Sequence, residues 1–276
     1  MKKVNCDLDK KLIVITSIVV FSFIIAVYTN LTESLGPLGL DTRFLGKLYV
    51  YFTNHEDPRI STASLEPVAA IVWDFRGLDT LYETTVFAMA IIAIYSLFRI
   101  DRLEENESLN SSFTIIPRLV TKILLPINIA IASTIAFHGS ISPGGGFQAG
   151  SILAVVGVLF VVIFSYYALN AKSINPHRAL LFMSSGLIAI VLVSLIPLAF
   201  EVFFDNAYLM QNQPKLDSAF GYPKTIGGFV FGGSIGLFNI FEFIAVSFGF
   251  LTAFALLSIP EYVFKEKLGG EESLEQ

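Results

Sequence analysis

Ala179-Leu180-Leu181-Phe182-Met183-Ser184-Ser185-Gly186-Leu187-Ile188-Ala189-Ile190-Val191-Leu192-Val193-Ser194-Leu195-Ile196-Pro197-Leu198-Ala199-Phe200 contains no charged residue. A helix needs roughly 20 mostly apolar residues to cross the hydrocarbon core of a bilayer, so this stretch reads as a transmembrane span. Upstream, Phe147–Leu169 has the same character, and downstream Gly233–Ile259 differs by a single carboxylate, Glu242. Ile115–Phe137, Thr80–Phe98 and Leu12–Thr29 complete a set of six expected spans. The expected fold is therefore all-α, a polytopic integral membrane protein arranged as two helices followed by four.

Composition agrees with this reading. Hydrophobic residues make up 54% of the 276, charged residues 15%, and the mean hydropathy is +0.69, whereas soluble domains carry about 25% charged residues. The charges crowd into short segments between the apolar runs. No basic patch with interleaved aromatics points to nucleic acid. The single cysteine, Cys6, excludes an intramolecular disulfide, and the histidines at 55, 138 and 177 lack ligand spacing. No metal site is expected.

The basic start at Lys2, Lys3, Lys10 and Lys11 resembles that of a signal peptide. The apolar run that follows is longer than such peptides use, and no small-residue cleavage site follows it. We read it as a retained anchor helix. Lys and Arg number 18. With the N-terminus inside, six of them (Arg43, Lys47, Arg59, Arg76, Lys215 and Lys224) fall outside and the other twelve fall inside, so the positive-inside bias places both termini in the cytoplasm.

Two parts are expected. Residues 1–105 hold two helices joined by a long outer segment, and residues 113–265 hold a four-helix block. The first part ends in the acidic run Asp101-Arg102-Leu103-Glu104-Glu105-Asn106-Glu107, the linker at 106–112 lies between the two parts like the seam of a fusion, and 266–276 form a cytoplasmic tail.

The candidate chemistry lies in buried charges and glycine-rich turns. Glu83 lies about one turn into its span, flanked at helical spacing by Thr80, Thr84 and Phe87. A carboxylate at that depth costs a few kcal/mol and normally faces protein or water. Glu242 lies deeper, with Asn239 one turn earlier on the same face. Each carboxylate reads either as an ion-path group or as an interhelical hydrogen-bonding group. His138 ends its span and reads as a proton shuttle or as a loop anchor. Asp79 lies at the start of Glu83's helix, and Glu201 sits where an acid would attract cations to a channel mouth. The turns Gly144, Gly145, Gly146 with Gln148, and Gly227, Gly228, Gly232 and Gly233, suit close backbone approach or a wet cavity. No nucleophile with an adjacent base, metal-ligand cluster or nucleotide fingerprint suggests an enzyme.

These motifs support a family resemblance. Ile123-Leu124-Leu125-Pro126, His138-Gly139, Ser142-Pro143-Gly144-Gly145-Gly146-Phe147-Gln148-Ala149-Gly150 and Gly236-Leu237-Phe238-Asn239-Ile240-Phe241-Glu242 occur in order, and together they resemble the MnhB (MrpB) subunit of Mrp-type sodium/proton antiporters. Asp74-Phe75-Arg76-Gly77-Leu78-Asp79-Thr80-Leu81-Tyr82-Glu83 resembles the C-terminal end of the large subunit of those antiporters, and also the small MbhE-like subunit of membrane-bound hydrogenases. The resemblance implies a non-catalytic, multi-pass component in the cytoplasmic membrane of a prokaryote. It also implies Na+ and H+ as the transported ions, no cofactor in this chain, and an ion-path role for Glu83. The implied partners are other membrane subunits of the antiporter module, together with hydrogenase-like redox subunits. A stand-alone antiporter and a purely structural scaffold remain as rival readings.

Overall fold

The computed structural model describes residues 2–32, 43–98, 115–164, 176–201, 203 and 206–259, with residues 2–13, 30 and 161 described by backbone alone. The expected linker at 106–112 and tail at 266–276 lie outside the described residues. Residues 1–47 and residues 48–276 form two separate compact units.

The first unit contains α1 (Lys2–Leu31), whose described apolar stretch, Val14–Thr29, is shorter than a full span. Helix α2 (Phe44–Thr53) leads into the second unit, where a short α3 (Pro67–Ala70) runs into a π-helical turn at Ile71–Phe75. Five helices long and apolar enough to cross a membrane follow: α4 (Gly77–Leu97), α5 (Ile115–His138), α6 (Gly146–Phe164), α7 (Pro176–Ala199) and α8 (Ser234–Leu257). The last five expected spans match these helices with shifts of a few residues at their ends. The chain is thus a polytopic α-helical membrane protein.

Helix α8 is the hub. Half of its apolar window is buried, 50% against 17% for α5, and α4, α5, α6 and α7 all pack on it. Lipid tails are as apolar as leucine, so hydrophobicity gives little drive for such contacts and close packing must supply it. Small residues allow that approach. A Cβ on Gly150 of α6 would lie 2.7 Å from Cβ of Val246, and one on Gly186 of α7 would lie 2.8 Å from the backbone nitrogen of Ala245. In return, Gly249 of α8 receives the ring of Phe87 from α4.

At one end of the bundle, residues 54–76, 139–145 and 206–233 interlock into a polar cap. Glu66 caps α3 by accepting from the backbone N–H of Ala69, and Pro67 occupies the first helical position, where no N–H is needed. The carbonyl of Ser140 accepts from the N–H of Leu65 (2.8 Å) and from the hydroxyl of Ser64 (2.9 Å). Asn212 is fully buried. Its Nδ2 donates to the carbonyl of Thr62 (2.7 Å), its Oδ1 accepts the N–H of Ser234 (2.8 Å), and its backbone carbonyl accepts from Tyr222 (2.8 Å). The hydroxyl of Tyr222 donates to the carbonyl of Val193 (2.7 Å), and burial pushes its pKa up to about 12. The long segment between Asn30 and Asp79 had no assigned purpose in the sequence; its described part from 54 onward builds this cap. An Asn212→Ala variant leaves two buried backbone groups without partners, at about 1–3 kcal/mol each. Its thermal midpoint, followed by size exclusion after heating, should fall clearly below that of the parent protein.

From the cap projects a two-stranded hairpin, β1 (Thr225–Ile226) with β2 (Phe229–Val230), paired Thr225 to Val230 and Ile226 to Phe229. Its turn, Gly227-Gly228, has φ of 58° and 88°. Two successive positive φ values match the twist of a two-residue hairpin, and glycine adopts them without strain. The glycines flagged at 227 and 228 therefore serve the turn.

Candidate functional site

The start of α6 lies against the first third of α8. A Cβ on Gly146 would lie 2.6 Å from Cβ of Glu242, and it would also meet the backbone carbonyl of Asn239. Only glycine fits there, which explains the end of the Gly144-Gly145-Gly146 run. Asn239 Oδ1 accepts the N–H of Gly146 at 3.4 Å, and the N–H of Phe147 is directed to the Glu242 carboxylate. The first N–H groups of a helix have no partner within it, and its N-terminus favours negative charge. Glu242 and Asn239 fill that role at the start of α6, although both belong to α8.

Beside this contact is a cavity of about 250 Å³. Its walls bring together residues far apart in the chain: Trp73 from the π turn, Glu83 and Thr84 from α4, Gln148 from α6, and Asn239 and Glu242 from α8. Glu242 and Asn239 are buried, 5% and 1% exposed, whereas Glu83 is exposed on the chain's own surface. The hydroxyls of Thr80 and Thr84 donate to backbone carbonyls, Thr80 to Val72 (2.7 Å) and Thr84 to Thr80 (3.0 Å). Two carboxylates share this cavity, and among the described residues no basic side chain lines it.

Of the residues expected from sequence, Glu83, Glu242, Asn239, Gly144, Gly145 and Gln148 all line this cavity, and Gly146 backs it. The others lie elsewhere. His138 is exposed, with Nδ1 against the carbonyl of Thr134 at 3.0 Å, and its own carbonyl accepts from Ile141 and Ser142. Asp79 is exposed and ion-paired with Arg76, whose Nε donates to it at 2.7 Å. Glu201 is exposed just past α7. A Cβ on Gly232 would meet that of Ser140 at 2.8 Å, and one on Gly233 would meet the Asn212 side chain, so these two glycines serve the cap.

Sequence reasoning gave Trp73 no role, although the segment Trp73-Asp74-Phe75-Arg76-Gly77-Leu78-Asp79-Thr80 stands out as unusual. Trp73 is 1% exposed and stacks on Phe238 of α8, with centroids 4.6 Å apart and planes 15° from parallel. The carboxyl of its neighbour Asp74, outside the spans, has its pKa pushed up to about 6 by burial, with Lys215 pulling the other way. The available signal was the single tryptophan of the chain, since a buried indole N–H usually needs a partner.

The fold defines a multi-pass helical membrane protein with an acid-lined cavity at the capped end of its bundle. Within it, residues 116–252 match the family described as a domain related to the MnhB subunit of Na+/H+ antiporter. The chain carries an MnhB-related domain, as the sequence resemblance led us to expect. An uncharacterized protein of Methanocaldococcus jannaschii is 26% identical over 245 residues, covering 82% of this chain and 87% of that protein. Among solved structures, a chain of the membrane-bound sulfane sulfur reductase, an archaeal respiratory membrane complex, superposes with a TM-score of 0.56 at 24% identity. That match covers 88% of this chain and 97% of the other. A chain of the Mrp complex from Dietzia sp. DQ12-45-1b gives a TM-score of 0.58 at 16% identity, covering 89% of this chain and 26% of the other. These structural likenesses establish a shared fold.

Proposed function

We propose that this chain is a non-catalytic ion-path component of a multisubunit cation/proton antiporter module, the ion-translocating part of a membrane-bound hydrogenase or related respiratory complex. One observation carries the reading. Glu83 and Glu242, on separate helices and distant in sequence, face the same cavity within membrane-spanning helices. Ionisable groups at that depth are costly and mark ion or proton routes. The MnhB-related domain supports the antiporter class, and the fold shared with a chain of an archaeal respiratory complex supports attachment to redox subunits. Na+ and H+ are the ions this reading assigns, and the cavity is their route past this chain.

The exposed position of Glu83 gives the reading its test. In vesicles containing the whole complex, Glu83→Gln should reduce Na+/H+ exchange severalfold while leaving the subunits that co-purify unchanged. Normal exchange would remove Glu83 from the route. Loss of co-purifying subunits would instead favour the scaffold reading. Identifying the co-purifying proteins by mass spectrometry then separates a redox-linked complex from a stand-alone antiporter.

A further inference from the structure

Trp73 combines a packed ring with a buried N–H, and substitution can separate the two. Its ring is held by the stack on Phe238, within the apolar cluster of Ala69, Ile190, Met210 and Ile235. Its Nε1 is buried and closes no hydrogen bond among the described residues. Phe238 lies one helical turn before Glu242 on α8, so the stack sets the indole on the Glu242 side of that helix, and both residues line the same cavity. An indole N–H is only ever a donor. Left unpaired in a low-dielectric interior, it costs about 1–3 kcal/mol. A cavity of about 250 Å³ with a carboxylate beside the donor supplies the missing acceptor: the carboxylate itself after a small rotation, or a water between the two.

We infer that Trp73 is a positioning residue for Glu242, its indole N–H holding the ionised carboxylate directly or through one cavity water and so setting the pH at which Glu242 takes up a proton. The inference rests on the ion-path reading above and adds to it the group that tunes the carrier. The surroundings leave few competitors. Among the described residues, Glu83 of α4 is the other titratable group on the cavity wall. On the elements packed around α8, Asp74 of the π turn, Arg76 and Asp79 at the start of α4, Arg118 and Lys122 of α5 with His138 at its end, and His177 and Arg178 of α7 do not line it. Among the described residues, the donors nearest Glu242 include the Phe147 amide, which no side-chain exchange removes, and the Trp73 indole, with the side-chain amides of Asn239 and Gln148 on the same cavity wall. Losing a donor to the ionised form favours the protonated form, so the carboxyl keeps its proton to higher pH.

The test is the pH profile of Na+/H+ exchange by the whole complex in vesicles, comparing the parent with Trp73→Phe. Phenylalanine keeps an aromatic ring against Phe238 and removes the N–H. The expected result is an alkaline limb displaced upward by about one pH unit, a tenfold change in proton affinity, with maximal rate and assembly retained. A Trp73→Phe profile that superposes on the parent, while Glu242→Gln has lost exchange, overturns the inference and leaves the ion-path reading standing. Normal exchange by Glu242→Gln overturns both. If Trp73→Phe fails to assemble, the parent complex supplies the measurement: the indole N–H vibrational band followed through a pH titration. A band that moves with pH in the parent and stays fixed in Glu242→Gln supports the inference, and one that behaves alike in both overturns it.

Discussion

Glu242→Gln should lose Na+/H+ exchange down to the level of vesicles without the complex, while the complex itself still assembles. Glutamine keeps the size of the side chain and an oxygen that can accept from the Phe147 amide at the start of α6. What disappears is the proton and the charge. A charge at a helix terminus is worth about 0.3–1 kcal/mol, too little to separate α6 from α8, which are also joined through Gly146, Gly150 and Asn239. Among the described residues a titratable carrier has no substitute on that wall except Glu83, which is itself exposed. The measurement is exchange in vesicles, normalised to assembled complex. Undiminished exchange with normal assembly would reduce Glu242 to a helix cap supplied by a neighbouring helix.

The second large effect is mechanical. Gly146→Val places a branched side chain where even a Cβ would lie 2.6 Å from Glu242 Cβ and press on the Asn239 carbonyl. Overfilling a packed contact costs about 1–3 kcal/mol, and more when the obstruction is backbone that cannot swing aside. Helix α6 must then leave α8, and the cavity loses one wall. The expected outcome is a chain that no longer co-purifies with the complex, or a complex whose thermal midpoint drops sharply. Gly228→Ala is the control. A Cβ there meets nothing within 4 Å, so the change costs only the strain of a positive φ, about 1 kcal/mol. Equal behaviour of the two variants would show that the α6–α8 contact is not what holds this chain in the complex.

The spans were legible because a bilayer imposes a length and a polarity that a single sequence displays directly. Glu83, Asn239 and Glu242 were legible as polar residues in apolar surroundings, and Gly144 to Gly146 as a glycine run at a helix start. Their meeting in one cavity was not legible, because it depends on how α4, α6 and α8 pack, and no local pattern encodes that. His138 left two readings open, a proton shuttle or a loop anchor; its position at the end of α5 directs it to backbone carbonyls and amides of its own segment, away from the cavity. The cap was invisible for a different reason. Ser61, Thr62, Ser64, Gln211, Asn212 and Gln213 are all buried, yet in sequence they read as ordinary loop residues. Hydropathy cannot distinguish a polar residue that faces water from one whose hydrogen bonds are all made inside the protein. Trp73 escaped because an aromatic beside an apolar run reads first as filling.

Glu83 sits on the surface of a membrane-crossing helix, and a free copy of this chain would leave that acid against acyl chains at a cost of a few kcal/mol. The penalty vanishes only when something wet or polar covers the site. On the function proposed above, a neighbouring subunit or the water of the ion route is that cover, so one acid ties the stability of this chain in the membrane to its assembly.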